Sequence, residues 1–523
     1  MLLITSGEYV ETELFAEFGR IPPAFLPVGN KRLYTYQISQ LAPHYSDIWL
    51  TLPVDFELDE ADRRTLARQD VHIFRTPSGI PLGRAIADFI DATGHAGMLD
   101  ILYGDTLIGD TRFDGTDWLA VGDSDENYHW HHEVPKNGQP GGTWTGMFSF
   151  SDAGKLGRQL ASETDFIAAV TGYGSDVGHM AHKVVRKWLD FGHIHTYFDS
   201  KREITTQRHF NQLQIADGVL TKSSSDARKM LAEAAWFEQA PPAIRPFLPN
   251  FIARNETPTG YQLEYLHLAA LNELYVFGRL PERVWRKIFS ACDTYLRAAS
   301  RIPMPDALPA GLAESTYDAK TRQRLDQFSL QTGVSLDAAW RFNGMPTPSL
   351  RDMAAQAADA VLTHPDAASF IHGDFCFSNI LFDFRAGRLK LIDPRGIDCR
   401  GIPTPYGDLR YEVGKLAHSV LGLYDYIVAG FYHLSMDGQA VTFTVFADRV
   451  EPVKRLFAET EFLGRRPASW DCYPLMLLLF LSMLPLHADN PDRQRALLAN
   501  CLKIYLEWKH DHHTDGGTEQ PLS

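Results

Sequence analysis

The sequence predicts an α/β domain with a mixed sheet, followed by an α+β domain that opens on a small antiparallel sheet and then turns helical. Three observations carry this. First, 523 residues are more than one ordinary hydrophobic core supports, so at least two domains are expected. Second, over the first hundred or so residues the apolar runs "MLLIT", "DIWLTLP", "VHIFRT" and "DILYGDTLI" alternate with the helical stretches "RLYTYQISQLA" and "LGRAIADFIDATG". That is the pattern of strands in a mostly parallel sheet joined by crossover helices. Third, after about residue 200 the pattern changes to a hairpin, "QLQIADGVLTKSS", turning at Asp217-Gly218, and long helical segments follow. The boundary falls near Lys201 to Arg208. The expected division is residues 1–203, then 204–510 with a small lobe over about 204–266 and a larger one over about 267–510, and a polar tail, 511–523, expected to be disordered.

Composition narrows the function. A hydrophobic share of 45% with 22% charged residues is that of a globular protein, and 12% aromatics argue against extended disorder. A net charge of −15 speaks against general affinity for nucleic acid or anionic membrane and favours small-molecule chemistry. Cys292, Cys376, Cys399, Cys472 and Cys501 are odd in number and contain no C-x-x-C pair, so neither a disulfide framework nor a zinc cluster is expected. Reduced thiols point to a cytoplasmic location. The start, "MLLITSGEYVETEL", has no basic flank and is acidic at once, unlike a secretory signal. The run "PLMLLLFLSMLPL", Pro474 to Leu486, is shorter than the roughly 20 residues of a spanning helix and reads as a buried one.

The densest chemistry lies in "FIHGDFCFSNILFDFRAGRLKLIDPRG", Phe370 to Gly396. Phosphoryl transfer needs a group to orient the attacking hydroxyl, oxygen ligands for magnesium and a lysine to position phosphates. Asp374 follows an apolar strand, Asn379 comes five residues later, and Asp393 ends the strand "LKLI". A strand-loop-strand hairpin would bring these three to one cleft, Asp374 facing the acceptor hydroxyl and Asn379 with Asp393 facing Mg²⁺. The "HGDxxxxN" and "IDP" elements resemble the aminoglycoside phosphotransferase and choline kinase family, a branch of the protein-kinase-like fold. The resemblance implies a bilobal, ATP-dependent small-molecule kinase with His372 structural. It also implies an upstream ion pair, for which "VLTKSSSDARKMLAEAAWF" offers Lys222 and Glu233, and a nucleotide hinge near Leu263 to Tyr265 that includes Glu264. No G-x-G-x-x-G precedes Lys222, and "RHFNQLQ" is the candidate phosphate-covering loop. Asp408 reads as a structural helix cap, with Glu412 able to support the hairpin. Arg395 is read either as facing substrate or as a surface ion-pair partner. A choline-type cage would draw on Trp340, Trp470 and Tyr473.

The first domain carries a second resemblance. "AFLPVGNKRLYTYQISQL" is similar to the "LPVxxKPLIxYxL" stretch of sugar-1-phosphate nucleotidyltransferases, a Rossmann-like fold. In "ILYGDTLI" and "KWLDFGHIHTYFDS", Asp105 and Asp190 stand where that family places two magnesium aspartates. The resemblance also implies a sugar pocket lined by Trp144 to Leu160 and a base-facing loop over Thr76 to Ile86, with Gly79 and Gly83 allowing close backbone approach. The phosphate loop departs from the family: "TSGEYVETELFAEFGRIPPA" keeps Gly7 but brings in Glu8 and Glu11 and lacks the Pro-Lys pair, leaving Arg20 and Lys31 as substitutes. Carboxylates there repel a triphosphate. Two readings follow. One is a bifunctional kinase and nucleotidyltransferase using Mg²⁺, ATP and a second NTP (CTP, UTP or GTP) to make an NDP-activated precursor for surface polysaccharide. The other is a kinase whose first domain only binds.

Overall fold

The computed structural model describes residues 1–515 except 110–113, 125, 127, 129, 136–139, 164, 206–210, 256–258, 305–310 and 365–366. It forms two compact units, Met1–Thr205 with Phe277–Leu280, and Thr206–Val276 with Pro281–Ser523.

The first unit is built on a mixed eight-stranded sheet. Leu2, Leu3 and Ile4 are fully buried, as expected of a central parallel strand covered on both faces. Leu2–Thr5 pairs in parallel with Ile48–Pro53 on one side and Leu99–Tyr103 on the other. Val71–Thr76 extends the sheet beyond Ile48–Pro53. The direction reverses at Gly142–Phe150, antiparallel to Leu99–Tyr103, and Trp118–Gly122 and Ala181–Val184 follow. The helices Leu82–Thr93, Ala153–Ser162 and Phe166–Val177 bury Ile86, Phe89, Leu156 and Val170 against Ile101, Phe148 and Phe150 of the sheet. Past the end of Leu99–Tyr103 the chain turns through Asp105 into Thr106–Ile108, which pairs with Trp188–Asp190 so that Asp190 lies opposite Thr106. Ligands in such sheets bind beyond the carboxyl ends of the strands, where this turn lies.

In the second unit, Asn211–Ala216, Val219–Ser224, Gly260–Glu264 and Phe251–Arg254 form an antiparallel sheet. Asp217 and Gly218 both have positive φ, 51° and 73°, the backbone of a two-residue hairpin turn matched to strand twist. The helix Ala227–Glu238, capped by Asp226, follows the hairpin. The larger, mostly helical part contains Glu282–Ser300, Lys320–Thr332, Leu350–Leu362, Leu409–Val420 and Cys472–Met483. Leu475 through Leu481 are buried in the last of these, as the apolar run implied. No helix among the described residues is long and apolar enough to cross a membrane. A π-helical turn, Ser315–Ala319, leads into Lys320–Thr332. The last helix runs from Pro491 through Asp515, past position 511 where the sequence suggested a disordered tail. The segment carrying Asp374 and Asn379 joins strand Ala368–Phe370 to Ile380–Asp383, which pairs with Arg388–Leu391.

Candidate active sites

In the second unit, Lys222 projects from strand Val219–Ser224 and is buried. Its Nζ lies 2.7 Å from Glu233 Oε2 and 2.9 Å from Asp393 Oδ1. Tyr261 on the adjacent strand donates its hydroxyl to Glu233 Oε2 at 2.8 Å, filling a remaining lone pair of that buried carboxylate. Burial alone opposes the ammonium, but Asp393 and Glu233 outweigh it and hold Lys222 charged, with its pKa raised. Three calls from sequence thus meet at one point. Asp393 sits at φ +57°, a left-handed backbone that a non-glycine residue adopts only when its surroundings hold it there. Nearby, Gly396 at φ +64° lets the chain pass against the helix carrying Glu233, since a Cβ there would stand 2.4 Å from Ala232 O.

Asp374 lines the same cleft as Glu233 and Asp393. Asn379 Nδ2 donates to Asp374 O and Oδ2, each at 2.9 Å, which turns Asn379 Oδ1 away from Asp374. Lys415, a residue sequence reading did not assign, reaches from helix Leu409–Val420 to place Nζ 2.7 Å from Asp374 Oδ1. Burial pushes the Asp374 carboxyl up, but Lys415 overrides it and the pKa falls to about 2. His372 is buried, with Nε2 2.9 Å from Ile392 O and Nδ1 accepting the Asp374 N–H at 3.3 Å. Burial lowers its pKa to about 4, so it bridges the two loops as a neutral ring. Glu412, fully buried, accepts the His372 N–H and the Gly373 N–H, each at 2.9 Å, one on each oxygen. Asp408 caps helix Leu409–Val420 by accepting the Arg410 N–H, and it also takes the Arg410 guanidinium and the Tyr317 hydroxyl.

Several of these groups line an open cleft of about 610 Å³. Its walls include Glu233, Asp374, Asn379 and Asp393, together with Lys320, Arg324, Arg395, Tyr411, Lys415, His418, Tyr424 and His487. Glu264 is not brought to it: its carboxylate accepts Asn250 Nδ2 at 2.8 Å. Trp340, Trp470 and Tyr473 do not line it either, and Trp470 is instead buried with its indole N–H on backbone carbonyls. The candidate covering loop "RHFNQLQ" includes 208–210, outside the described residues.

In the first unit, Asp105 and Asp190 converge. A Cβ placed on Gly192 would meet Asp105 Oδ2 at 2.8 Å and Asp190 Oδ1 at 3.4 Å, so both carboxylates crowd one point that only glycine leaves clear. Burial, then the Asp190 charge, raises Asp105 to about 7. His193 Nδ1 lies 3.3 Å from Asp190 Oδ2, and Thr196 also donates to that oxygen. The residues expected at the nucleotide loop are engaged within the chain. Glu8 Oε2 accepts the Gly79 N–H, and Arg20 pairs with Asp55 at 2.6 Å while stacking over Tyr9. Gly7 passes against Thr76, whose hydroxyl donates to Gly7 O at 3.0 Å. Lys31 is exposed, its Nζ 5.5 Å from the Tyr36 ring centre.

The phosphotransferase enzyme family (APH) matches residues 213–395, so the C-terminal part carries a domain of that family. No curated protein matches the chain. Among solved structures, the chain is similar to a choline/ethanolamine kinase family protein from Mesorhizobium loti at 13% identity, covering 57% of this chain and 86% of that one, TM-score 0.35. It is similar to a nucleoside-diphosphate-sugar pyrophosphorylase from Vibrio cholerae RC9 at 13% identity, covering 39% and 100%, TM-score 0.32. It is also similar to an inositol-1-phosphate CTP transferase from T. maritima at 14% identity, covering 39% and 95%, TM-score 0.30. At these scores the structural likenesses carry no weight for function, which rests on the residues themselves.

Proposed function

We propose that the chain is a cytoplasmic two-domain enzyme. Its C-terminal domain transfers the γ-phosphoryl group of ATP to a hydroxyl of a small metabolite, a sugar, polyol or amino alcohol. Its N-terminal domain then joins the new phosphate to a nucleoside triphosphate, giving an NDP-activated precursor of a surface polysaccharide. The observation that supports this is the pairing of Lys222 with Glu233 and Asp393 beside a cleft that Glu233, Asp393, Asp374 and Asn379 line together.

In the kinase step, Lys222 positions the ATP phosphates and Glu233 holds Lys222 in place. Asn379 Oδ1 and the Asp393 carboxylate are hard oxygen donors that fit Mg²⁺, which when bound would neutralise charge on the phosphates. Asp374 accepts a hydrogen bond from the acceptor hydroxyl and aims its oxygen at the γ-phosphorus. The new O–P bond forms as the bond to the β-phosphate oxygen breaks, ADP leaves, and the hydroxyl proton passes to solvent. A carboxyl of pKa about 2 holds that proton poorly, so orientation is the main service of Asp374. In the second step, an oxygen of the acceptor phosphate attacks the α-phosphorus of an NTP and pyrophosphate leaves. The paired carboxylates Asp105 and Asp190 fit a divalent cation, since a positive charge would relieve the repulsion that raises Asp105.

A second reading has a specific observation behind it. Glu8 on the Gly79 N–H and Asp55 on Arg20 hold two groups that a triphosphate would use, which favours an N-terminal domain that binds without transferring. Pyrophosphate release, measured with ATP, CTP, UTP and GTP and a panel of sugar and amino-alcohol phosphates, separates the two. Release lost in Asp105→Asn but kept in Asp374→Asn supports the bifunctional enzyme, and no release with any combination supports the kinase alone.

A further inference from the structure

The cleft beside Asp374 has an uneven charge balance. Its carboxylates are matched: Glu233 and Asp393 share Lys222, Lys229 approaches Glu233 at 3.6 Å, and Asp374 has Lys415. Three cations on the same cleft have no such match. Lys320 and Arg324 stand one turn apart on helix Lys320–Thr332, and Arg395 follows Asp393 and Pro394. All three are half-buried, and none has a carboxylate within ion-pair distance among the described residues. The sequence itself withholds partners: positions three and four away from Lys320 and Arg324 along the helix carry no Asp or Glu, whereas Arg322, facing outward, pairs with Asp318 at 2.6 Å. The π-helical turn Ser315–Ala319 sits immediately ahead of Lys320, and such turns recur where a helix re-aims side chains at a functional site. Two of the cations approach Tyr411, with Lys320 Nζ 5.4 Å and the Arg395 guanidinium 6.0 Å from its ring centre, and Arg324 lines the same cleft. Consistent with crowded like charge, Lys320 and Arg324 have lowered pKa values, burial first and Arg395 contributing to both.

We infer that the acceptor carries an anionic group, a phosphate or carboxylate, which Lys320, Arg324 and Arg395 hold while its hydroxyl faces Asp374. Resting on the kinase reading above, this names the substrate class of that site: sugar acids, sugar phosphates or polyol phosphates rather than neutral polyols or cationic amino alcohols. Half-buried guanidinium and ammonium groups left without an anion penalise a neutral analogue, which makes the contact a source of selectivity. The alternative occupant of the three cations is the nucleotide's own phosphates, and the test separates the two.

The full-length protein is saturated with magnesium and an ATP analogue whose β,γ-bridge cannot be hydrolysed, and inorganic phosphate is titrated in by calorimetry. Because the analogue fills the γ-phosphate position, phosphate binding reports a second anion site. The expected result is binding to the wild type, about tenfold weaker in Lys320→Gln and in Arg324→Gln, with affinity for the analogue changed less than about twofold in either. Matched acceptors extend the test: glucose 6-phosphate and glucuronate are expected to exceed glucose in ADP formation, and the same variants to raise their KM. Absence of phosphate binding in the presence of the analogue overturns the inference. So does a fall in analogue affinity by the same factor as phosphate, which assigns the cations to the nucleotide. Failure of the analogue itself to bind wild type overturns the kinase reading, and this inference with it.

Discussion

Lys415 Nζ lies 2.7 Å from Asp374 Oδ1, bringing a helix well downstream of the HGDxxxxN segment against the loop that carries Asp374. The contact lowers the pKa of the Asp374 carboxyl to about 2, which suits the orienting role proposed for it. Removing the ammonium leaves burial as the dominant influence, which raises a carboxyl. In Lys415→Met, the acid limb of the kcat/KM profile for phosphoryl transfer is expected to move upward by at least about one pH unit, with lower kcat at neutral pH. A pH–rate profile of ADP formation checks this; an unmoved acid limb would show that Lys415 does not set the ionisation of Asp374.

The Lys222–Glu233 pair is buried on both sides, so losing one member strands a charge. Lys222→Met is expected to cost roughly 3–5 kcal/mol of stability, and the double variant Lys222→Met/Glu233→Leu to recover much of it while remaining inactive. Denaturant unfolding of the single and double variants measures the coupling. Equal losses from each replacement that simply add would contradict a buried, mutually dependent pair.

His372 adds a pH dependence with a definite sign. Its folded pKa is depressed to about 4 from an ordinary 6.5, so between those values the unfolded chain binds a proton that the folded one does not. Its contribution to stability is therefore fully present above about pH 6.5 and is lost as pH falls toward 4, to the extent of roughly 3 kcal/mol. His372→Gln keeps an N–H to offer Ile392 O but does not titrate. Its stability profile over pH 4–7 is expected to be flatter than that of the wild type, and parallel curves would remove His372 from the account.

At the first site, Glu8 accepts the Gly79 N–H, a donor that the proposed nucleotide site would use. Glu8→Ala frees the donor and removes a negative charge, so NTP affinity is expected to rise by a factor of about three to ten, the worth of one backbone hydrogen bond. Calorimetric titration of each NTP into wild type and variant measures it. Weaker binding in the variant would mean that Glu8 organises the loop for its ligand.

The residues that meet at the candidate cleft of the second unit could be picked out because they cluster in sequence. Asp374 and Asn379 shortly precede the hairpin of Ile380–Asp383 and Arg388–Leu391 and Asp393 follows it, and Lys222 and Glu233 lie on a strand and on the helix after it. The alternation of apolar strands and amphipathic helices likewise made the sheet of the first unit visible. What escaped were contacts set by packing between distant helices. Lys415 and the cationic pair Lys320 and Arg324 look like ordinary surface charge in sequence, and only the fold turns them into the cleft. A partial signal existed in the absence of acids at helical spacing around Lys320 and Arg324. Glu264 was placed from its position near the expected hinge, but a strand alternates its side chains, and its carboxylate meets Asn250 instead. The sheet joining Trp340–Phe342 and Met345–Thr347 to Tyr432–Asp437 and Ala440–Val445 was not read at all, because its strands are scattered among helices.

The most direct test follows the transferred group itself. Full-length wild type and Asp374→Asn are incubated with magnesium, γ-labelled ATP and a panel of sugars, polyols, sugar acids and sugar phosphates, and labelled organic phosphate is separated from ATP and inorganic phosphate. The expected result is label on a hydroxylated acceptor with wild type, falling by about 10²–10⁴-fold in Asp374→Asn while ATP still binds. Label transfer that is the same in both proteins would contradict the assignment of this cleft as the phosphotransferase site.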